Sequence, residues 1–551
     1  MNKRKSFVII ILLIVVSAIV IFTHIKALNI TYLKFSDAAK FADIARSLLE
    51  GNGYKSNFNF FSSFSSNDSI GTARWIPPLM PISIAVNFLF FGVSDMAVIA
   101  TSSFYFTLLI IFTYLLANRF YGKTAGILSA MAVLFNLQLI DYATSGASEP
   151  LFILQISVAT YLISSKNKVH DVASLFVIVL MYLTRPQAPI YIVLLAFYYL
   201  YVNYKNRRKL YKFIAAFLIT GIIVEIIFQK FDGRYFLQSV LQRGSIATLN
   251  SSSLAEGNTA LRGGLDNTSI QFSSYISIIF KKVFYNIYNV YKQLPQILNP
   301  YLFTLFLIAL IKKSNPEANK FKHLVILTVV STVFFTAVTI PFYRYIHPVI
   351  PLVYIVAVGA LVVIIRESIK TGLKIFNTTI TKKLLVAAVS LILVVFFSVG
   401  QTIGVIFLDS RFINDYANED KPPIYVHLSR NLKTITDPDV LVLTNLDTWG
   451  SWYGERKTTW YPIEPSQIFD EHGNTPFDAI YLTNYRIDDS NYHMGEEWRE
   501  IFYNFNNPQI ECAACDLIRK KYELKEAVVV TASETYENQE GYAILLVRRA
   551  Y

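Results

Sequence analysis

Two acidic side chains in this sequence stand where a hydroxyl group could lose a proton, and both lie beside apolar segments. Asp37 opens the polar segment FSDAAKFADIARSLLEGNGY, and Glu149 follows Asp141 in DYATSGASEP. A carboxylate at a water–lipid boundary can act as a general base toward an attacking hydroxyl. On spacing alone, the simpler interpretation of Asp37 is a carboxylate that stabilises a helix N-terminus. Glu149 and Asp141 could likewise serve only to solvate the membrane interface.

Three arginines at the outer edges of apolar runs could bind an anion. Arg74 lies in ARWIPP, Arg185 in LTRPQAP and Arg344 in PFYRYIHPVIP, each beside prolines that begin helices. A single arginine in such a place is best explained by snorkelling to lipid headgroups. Three on the same side favour an anion site, because an arginine at a membrane edge is costly unless it is solvated or paired. Tyr345 and His347 are secondary candidates, and no paired-histidine or multi-cysteine pattern predicts a metal site.

The composition determines which elements can position these residues. Of 551 residues, 54% are hydrophobic and 16% are charged, and the mean hydropathy is +0.41. Such a chain cannot be a series of soluble domains and must be a polytopic α-helical membrane protein. The net charge of +12 does not indicate nucleic-acid binding, because the basic residues cluster in short turns between apolar runs.

The basic turns predict the topology. By the positive-inside rule, the start MNKRK and the turns NRFYGK, SSKNK, YKNRRK, IKKSNPEANKFK and RESIKTGLK are cytoplasmic. About eleven spans result, with the amino end inside and the carboxyl end outside. They start near residues 7, 97, 124, 150, 171, 187, 211, 296, 323, 349 and 384. The predicted transmembrane domain is therefore 1–408.

The first external loop, 24–96, is predicted to carry two helices that lie at the membrane surface. In the first, Ser36 is a suitable N-cap and Gly51 a suitable stop, and Ala38, Phe41, Ala45 and Leu48 form an apolar stripe. The second, 77–91, is too short for an upright crossing and is predicted to be re-entrant or interfacial.

Two further external regions are predicted. Residues 229–295 form a flexible loop or lid, because they contain a Ser-, Asn- and Gly-rich stretch. Residues 409–551 form a small α/β domain with strand-like runs VLVLTN, AIYLTN, EAVVVTA and YAILLVRR. Its tryptophans, Trp449, Trp452 and Trp460, could stack on sugars but are better interpreted as core. Cys512 and Cys515 could close a local disulfide.

The order of the segments resembles a known family. An amino-terminal span is followed by SDAAKFADIARSLLEGNGY, RWIPPLMP, FGVSDMAV, LANRFYGKTAGILSA, SGASEPLF, LTRPQAP and YRYIHPVIPL. This order is similar to that of the polytopic glycosyltransferases of GT-C architecture, within them to the protein O-mannosyltransferases and the bacterial aminoarabinose transferases. The resemblance covers roughly residues 1–405, and the loop helix is its most specific part.

The resemblance implies a membrane enzyme that takes a sugar from a polyprenyl-phosphate-linked donor on the outer face. It places Asp37 and Glu149 at the positions of the family's loop acids. Asp37 would then be the base for the acceptor hydroxyl, and Arg74, Arg185 and Arg344 would neutralise the departing phosphate. Attack opposite that phosphate would invert the anomeric centre.

Two positions depart from the family pattern. Many relatives have Asp-Glu where this chain has Asp37-Ala38, so the acceptor need not be that of the mannosyltransferases. Aminoarabinose transferases have a lysine where this chain has Ile76, which leaves Arg74 as the nearest replacement cation. The acceptor, whether protein, lipid or glycan, is not identified by the sequence. No cofactor is indicated, and a divalent cation is an open alternative.

Three other functions fit parts of the sequence. A transporter or flippase of a lipid-linked or small-molecule substrate is the main rival, although the spans carry little internal charge apart from Glu225. A membrane anchor whose external domain binds a cell-wall partner would not need Asp37. An oligosaccharide-transferring enzyme of the same architecture would have a larger external domain and an acidic metal-binding pair.

Overall fold

The computed structural model is mostly helical, with a six-stranded mixed sheet that draws most of its strands from the carboxyl-terminal region. It describes residues 3–60, 76–165, 167–232, 237, 272–312, 314–339, 342–369, 373–375, 378–398, 420–487, 495–507, 511–536 and 538–549. Arg74 and the Ser/Asn/Gly-rich stretch 244–269 lie outside these residues. The predicted lid and the predicted role of Arg74 therefore stay predictions.

The helices follow the predicted span starts closely. Those that precede the carboxyl-terminal region are Lys3–Ala27 (α1), Ser36–Leu49 (α2), Leu79–Phe91 (α3), Asp95–Tyr121 (α4), Lys123–Leu134 (α5), Leu137–Ala143 (α6), Glu149–Ile163 (α7), Lys168–Tyr182 (α8), Ala188–Asn203 (α9), Arg207–Asp232 (α10), Phe272–Lys292 (α11), Leu294–Ile297 (α12), Pro300–Ile311 (α13), Pro316–Val338 (α14), Ile350–Ser368 (α15) and Lys382–Ser398 (α16). Short 3-10 turns at Tyr343–Tyr345 and His347–Val349 lead into α15.

Four stretches of the described chain are long and apolar enough to cross a membrane: Ser6–Ala27, Asp95–Tyr121, Pro316–Val338 and Tyr343–Ser368. The pair α5 and α6, bent by 66°, adds a fifth if it is one broken span. Helices α3, α7, α9 and α13, together with Val169–Tyr182 of α8, are apolar but shorter. A multi-pass membrane protein is therefore confirmed, while the count of eleven spans stays a prediction.

Local sequence explains where several helices begin. Ser94 caps α4 by accepting a hydrogen bond from the amide of Ala97, and Asp95 adds a negative charge to the first turn. Pro150 lies in the first turn of α7, where its missing N–H is not needed. One element was missed, because α11 lies inside the region 229–295 that is predicted to be a flexible loop. This segment is an amphipathic helix with many aromatic residues and two adjacent lysines, and it packs against α14.

Residues 420–549 form the predicted small α/β domain. Its strands are Leu441–Thr444 (β4), Lys457–Trp460 (β5), Ala479–Thr483 (β6), Tyr522–Val530 (β7) and Gly541–Arg548 (β8), and its helices are Ile424–Ile435 (α17), Trp449–Trp452 (α18), Glu496–Asn504 (α19) and Ala513–Arg519 (α20). Leu373–Ile375 (β2) and Thr378–Ile380 (β3) form a separate antiparallel pair. Four strands match the predicted runs, and β5 was not predicted.

The central strands of this sheet are buried on both faces. Leu441 and Leu443 belong to an apolar cluster with helices α19 and α20, whereas Val442 between them belongs to a cluster with α17. Successive side chains of a strand point to opposite faces, so a continuous apolar run such as LVL indicates cover on both sides. Cys512 and Cys515 form a disulfide bond at the start of α20.

The sheet also contains a strand from the first external loop. Phe58–Phe60 (β1) pairs in parallel with β5, in the order β1-β5-β4-β6-β8-β7, with Phe58 opposite Thr458. Buried Asp43 directs the chain into this strand, because it accepts hydrogen bonds from Ser56 Oγ at 2.9 Å and from the amide of Asn57 at 2.7 Å. The α/β domain is thus completed by residues outside 409–551, the range that the sequence predicted for it.

Candidate active site

Asp37 lies in the first turn of the loop helix α2, with half of its side chain exposed. Ala38, Phe41 and Ala45 of the predicted stripe are buried, but so are all other residues from 38 to 45, including Lys40 and Asp43, and Leu48 is only half-buried. The helix is therefore enclosed on all sides there, and the prediction of a single buried stripe is wrong. The helix ends at Leu49, and Gly51 follows with φ +79, a left-handed conformation that favours glycine. The predicted N-cap is wrong, because Phe35 occupies that position and no side chain caps the helix from it. Ser36 is instead the first helical residue.

Glu149 lies between two arginines that come from distant parts of the chain. Its Oε1 atom is 2.7 Å from Nη1 of Arg185 and also accepts a hydrogen bond from Nε of Arg344. The Glu149 side chain has no exposed surface, and those of Arg185 and Arg344 are 8% and 11% exposed. Arg185 also donates to Ser148 Oγ at 3.1 Å. Because buried guanidinium groups require a counterion, Glu149 holds both arginines in one place.

Arg344 joins this buried cluster to the exposed acid. Its Nη2 atom is 2.8 Å from Oδ2 of Asp37, and its guanidinium lies over the ring of Phe35 at 5.4 Å. The structure therefore brings together four residues singled out in the sequence: Asp37, Glu149, Arg185 and Arg344. Their described charges balance as two cations and two anions.

The secondary sequence candidates are His347, Asp141 and Tyr345, and each contacts a residue outside this cluster. Nδ1 of His347 lies 2.6 Å from the hydroxyl of Tyr142, and both residues are buried. Asp141 forms an ion pair with Lys34 at 3.6 Å, and Lys34 is 68% exposed. Tyr345 is partly buried and packs edge-on against Phe342, at a ring distance of 5.6 Å.

Several buried polar atoms of the cluster have no hydrogen-bond partner in the described part of the chain. They are Oε2 of Glu149, Nε of Arg185 and Nη2 of Arg344, which approaches Asp37 as an ion pair without hydrogen-bond geometry. Outside the four-residue cluster, Nε2 of His347 also has no such partner. Buried polar atoms in folded proteins normally have a partner, so water or a polar ligand is needed to satisfy these atoms. Within the described residues, no group of three or more His, Cys, Asp or Glu side chains could hold a metal ion.

The carboxyl-terminal α/β domain contacts the chain segment just before Asp37, which sequence reasoning did not anticipate. Trp449 Nε1 donates to the carbonyl of Leu33 at 3.2 Å, and the hydroxyl of Tyr453 accepts from the amide of Leu33 at 2.8 Å. Tyr453 and Trp452 both donate to the carboxylate of Asp95, at 2.9 and 2.7 Å. Trp449, Trp452 and Trp460 are all buried. Trp460 lies in the apolar core of the domain, as predicted, whereas Trp449 and Trp452 pack with residues of α2, α3 and α4 instead. The cluster of aromatic residues in TWGSWYGERKTTWYP was the available signal.

The fold is similar to that of two solved glycosyltransferases. ArnT from Cupriavidus metallidurans, in a crystal structure with bound undecaprenyl phosphate, aligns with a TM-score of 0.54 and 12% identity over 97% of each chain. The oligosaccharyltransferase AglB from Archaeoglobus fulgidus, solved with an inhibitory peptide and a dolichol-phosphate, aligns with a TM-score of 0.52 and 10% identity. That alignment covers 98% of this chain and 74% of AglB. No curated protein matches this chain by sequence.

The apolar helices, α2 and the carboxyl-terminal α/β domain thus have the fold of GT-C membrane glycosyltransferases. Residues 76–229 match the family model described as dolichyl-phosphate-mannose-protein mannosyltransferase. The family match and the shared fold confirm the predicted class, a polytopic membrane glycosyltransferase of the GT-C type.

Proposed function

We propose that the protein transfers a sugar from a polyprenyl-phosphate-linked donor to an acceptor hydroxyl at the rim of the membrane where Asp37 lies. The observation that carries this proposal is the cluster in which two buried arginines, Arg185 and Arg344, share Glu149 while Arg344 also contacts half-exposed Asp37. The similar structures of ArnT and AglB, which contain undecaprenyl phosphate and a dolichol-phosphate, support a ligand of this chemical class.

The two arginines suit the phosphate of the donor. Guanidinium groups bind phosphate oxygens through paired N–H donors, and they keep their charge at any working pH. Glu149 fixes their positions, so its proposed role is to hold the arginines rather than to move a proton itself. A phosphate adds negative charge to a cluster that is already balanced. We propose that Arg74 or Lys34 supplies the additional positive charge.

Asp37 suits the role of base because it is the exposed acid of the cluster. When a donor phosphate engages Arg344, the ion pair between Arg344 and Asp37 is weakened and Asp37 becomes available to the acceptor. The acceptor oxygen attacks the anomeric carbon, its proton goes to Asp37, and the bond from the anomeric carbon to the phosphate oxygen breaks. The polyprenyl phosphate leaves with that electron pair, stabilised by Arg185 and Arg344. Attack from the opposite side inverts the anomeric centre.

The proposed orientation follows from the charge of the turns. The basic clusters between helices lie in the cytoplasm, which puts Asp37, Arg344 and the domain 420–549 on the other side of the membrane. A polyprenyl-phosphate sugar would then reach the site from the outer leaflet. Membrane lipids would surround the site, and the acceptor would approach it from the aqueous side.

A turnover assay with purified protein tests the proposal. The protein is reconstituted in vesicles with polyprenyl-phosphate hexoses and a lysate of candidate acceptors, and mass spectrometry measures the polyprenyl phosphate released. Asp37→Asn should lower turnover by roughly 10²- to 10⁴-fold, the contribution of a general base. Binding of polyprenyl phosphate should stay near that of the unchanged protein. Asp516→Asn, an exposed acid of the external domain, is the matched control.

Three outcomes decide the proposal. Full turnover in the Asp37→Asn variant would reject Asp37 as the base. Binding of polyprenyl phosphate no tighter than that of the corresponding alcohol would reject the phosphate site. Uptake of the donor across the membrane without release of polyprenyl phosphate would indicate a flippase instead. Adding EDTA to the same assay tests the dependence on a divalent cation.

A further inference from the structure

The external domain holds the first turn of α2 at the residue next to Asp37. The hydroxyl of Thr448 donates to the carbonyl of Ser36 at 2.5 Å, and the carboxylate of Asp447 accepts a hydrogen bond from the Ser36 side chain. The bond between Thr448 and Ser36 joins residues that are 412 positions apart in the chain. Ser36 is thereby fixed through both its backbone and its side chain.

Asp447 is an unusual residue for a structural contact. It follows the parallel strand β4, is 6% exposed and has φ +53, in the left-handed region that non-glycine residues rarely occupy. Its carboxylate accepts from the amide of Thr448 at 2.8 Å and is attracted by Lys40. Burial raises the pKa of this carboxyl above its ordinary value. A strained, buried acid persists only where the surrounding structure determines it, which points to a use.

Asp447 places a carboxylate beside the uncapped N-terminus of α2, which it contacts through the Ser36 side chain. Phe35 provides no side-chain cap to α2, so the helix begins without the usual oxygen acceptor at its N-terminus. Asp447 brings a carboxylate to this end from the external domain, where a negative charge is favoured by the helix dipole. The first turn that it supports contains Asp37.

We infer that Asp447 is a positioning residue for Asp37, and that the external domain orients the proposed base through hydrogen bonds to Ser36. This inference rests on the proposed function, in which Asp37 takes the acceptor proton. Donor binding depends on Arg185 and Arg344, which lie outside this contact. Loss of the contact should therefore lower kcat and leave the KM for the donor unchanged.

Three variants separate the contact from general stability. Asp447→Gly removes the carboxylate and tolerates φ +53, and Asp447→Asn keeps an oxygen that can accept from Ser36. Thr448→Val removes the hydroxyl and provides a second variant if the first does not fold. The matched control is Glu455→Gly, because Glu455 is also an acid with positive φ in the same domain but forms its ion pair with Lys433.

The kinetic test uses the vesicle assay with polyprenyl-phosphate hexoses. Asp447→Gly should lower kcat by roughly 10- to 100-fold, the effect of misplacing a reacting group. The KM for the donor should stay within about twofold of that of the unchanged protein. Asp447→Asn should retain most of the activity, and Glu455→Gly all of it. Unchanged kcat in both Asp447→Gly and Thr448→Val would overturn the inference, as would an Asp447→Asn variant as slow as Asp447→Gly.

Hydrogen exchange provides a test that does not need turnover. The amides of Ala38 and Ala39 bond to the carbonyl of Phe35 at 3.0 and 3.3 Å, so they report the order of the first turn. They should exchange faster in Asp447→Gly and at the normal rate in Glu455→Gly. Unchanged exchange in Asp447→Gly would overturn the positioning contact. Fast exchange together with a fully active Asp37→Asn variant would reject the proposed base and retain the contact.

Discussion

We expect Glu149→Gln to destabilise the protein and to make its stability respond strongly to an added phosphate ligand. Glu149 is fully buried and is the shared counterion of Arg185 and Arg344. Glutamine has nearly the same size, so the substitution removes the charge and leaves the packing in place. Arg344 retains its ion pair with Asp37 at 2.8 Å, whereas Arg185, which is 8% exposed, loses its carboxylate partner and keeps neutral acceptors, Ser148 and the glutamine oxygen.

The magnitude follows from the burial. Removing one partner of a buried ion pair costs about 3–5 kcal/mol, because an uncompensated charge remains inside the protein. Since Arg344 keeps one carboxylate, we expect the lower end, about 3 kcal/mol, or roughly a hundredfold in the ratio of folded to unfolded protein. Asp171→Asn is the matched control. Asp171 pairs with Lys209 at 2.8 Å in a more exposed site, where a pair is worth about 1 kcal/mol or less.

The assay is thermal unfolding in detergent with added polyprenyl phosphate or the corresponding alcohol. A phosphate supplies the negative charge that the substitution removes, so it should raise the unfolding midpoint of Glu149→Gln more than that of the unchanged protein. The alcohol should raise both equally. A midpoint for Glu149→Gln no lower than that for Asp171→Asn would refute the role of Glu149. Equal stabilisation by phosphate and alcohol would refute an anion site at the arginines.

Three further predictions address the cluster, the sheet and the buried acid. Arg344→Lys should weaken polyprenyl-phosphate binding by roughly tenfold in a titration, because one ammonium cannot replace a planar guanidinium that contacts both Glu149 and Asp37; unchanged affinity would contradict this. Phe58→Ala should cost about 3–5 kcal/mol in the free energy of unfolding measured by pulse proteolysis, because Phe58 is 2% exposed in the sheet core; a loss below about 1 kcal/mol would mean that β1 is not anchored there. Burial raises the pKa of Asp447, so the folded state binds this proton more readily than the unfolded state. As the pH falls from neutral through the raised pKa, the unfolding free energy should therefore increase, and the increase should stop below the ordinary carboxyl pKa. Asp447→Asn should lack this increase. Identical pH profiles for the two proteins would contradict this.

Local patterns were sufficient to predict the elements that carry the site. Helix α2 and its stop at Gly51 depend on neighbouring residues only, and so do the apolar runs that became the membrane helices. The positive-inside rule placed Asp37, Arg185 and Arg344 on the same side, which is why their grouping could be predicted without contacts. Ser36 was assigned as the N-cap from its type alone, although its side chain bonds to Asp447 instead.

The contacts between residues far apart in the chain could not be predicted from the sequence. Glu149 and Arg344 are 195 positions apart, and nothing near either residue indicates that their atoms meet. Strand β1 has only three residues, and its partner β5 begins with Lys457 and continues in polar threonines, so neither has a clear strand pattern. Both strands are defined by the sheet that they join. Single-sequence patterns report local preference, whereas these contacts depend on the whole fold.

The position of β1 in the sheet has a consequence for how the chain matures in the cell. Its neighbour β5 lies about 400 residues further along, after all the apolar helices, so β1 has no partner until the ribosome has made nearly the whole chain. Until then its backbone groups remain an open edge that other strands could join. The segment that contains α2 and β1 is therefore translated early and anchored late, and a nascent chain that stops before β5 leaves β1 without its strand partner.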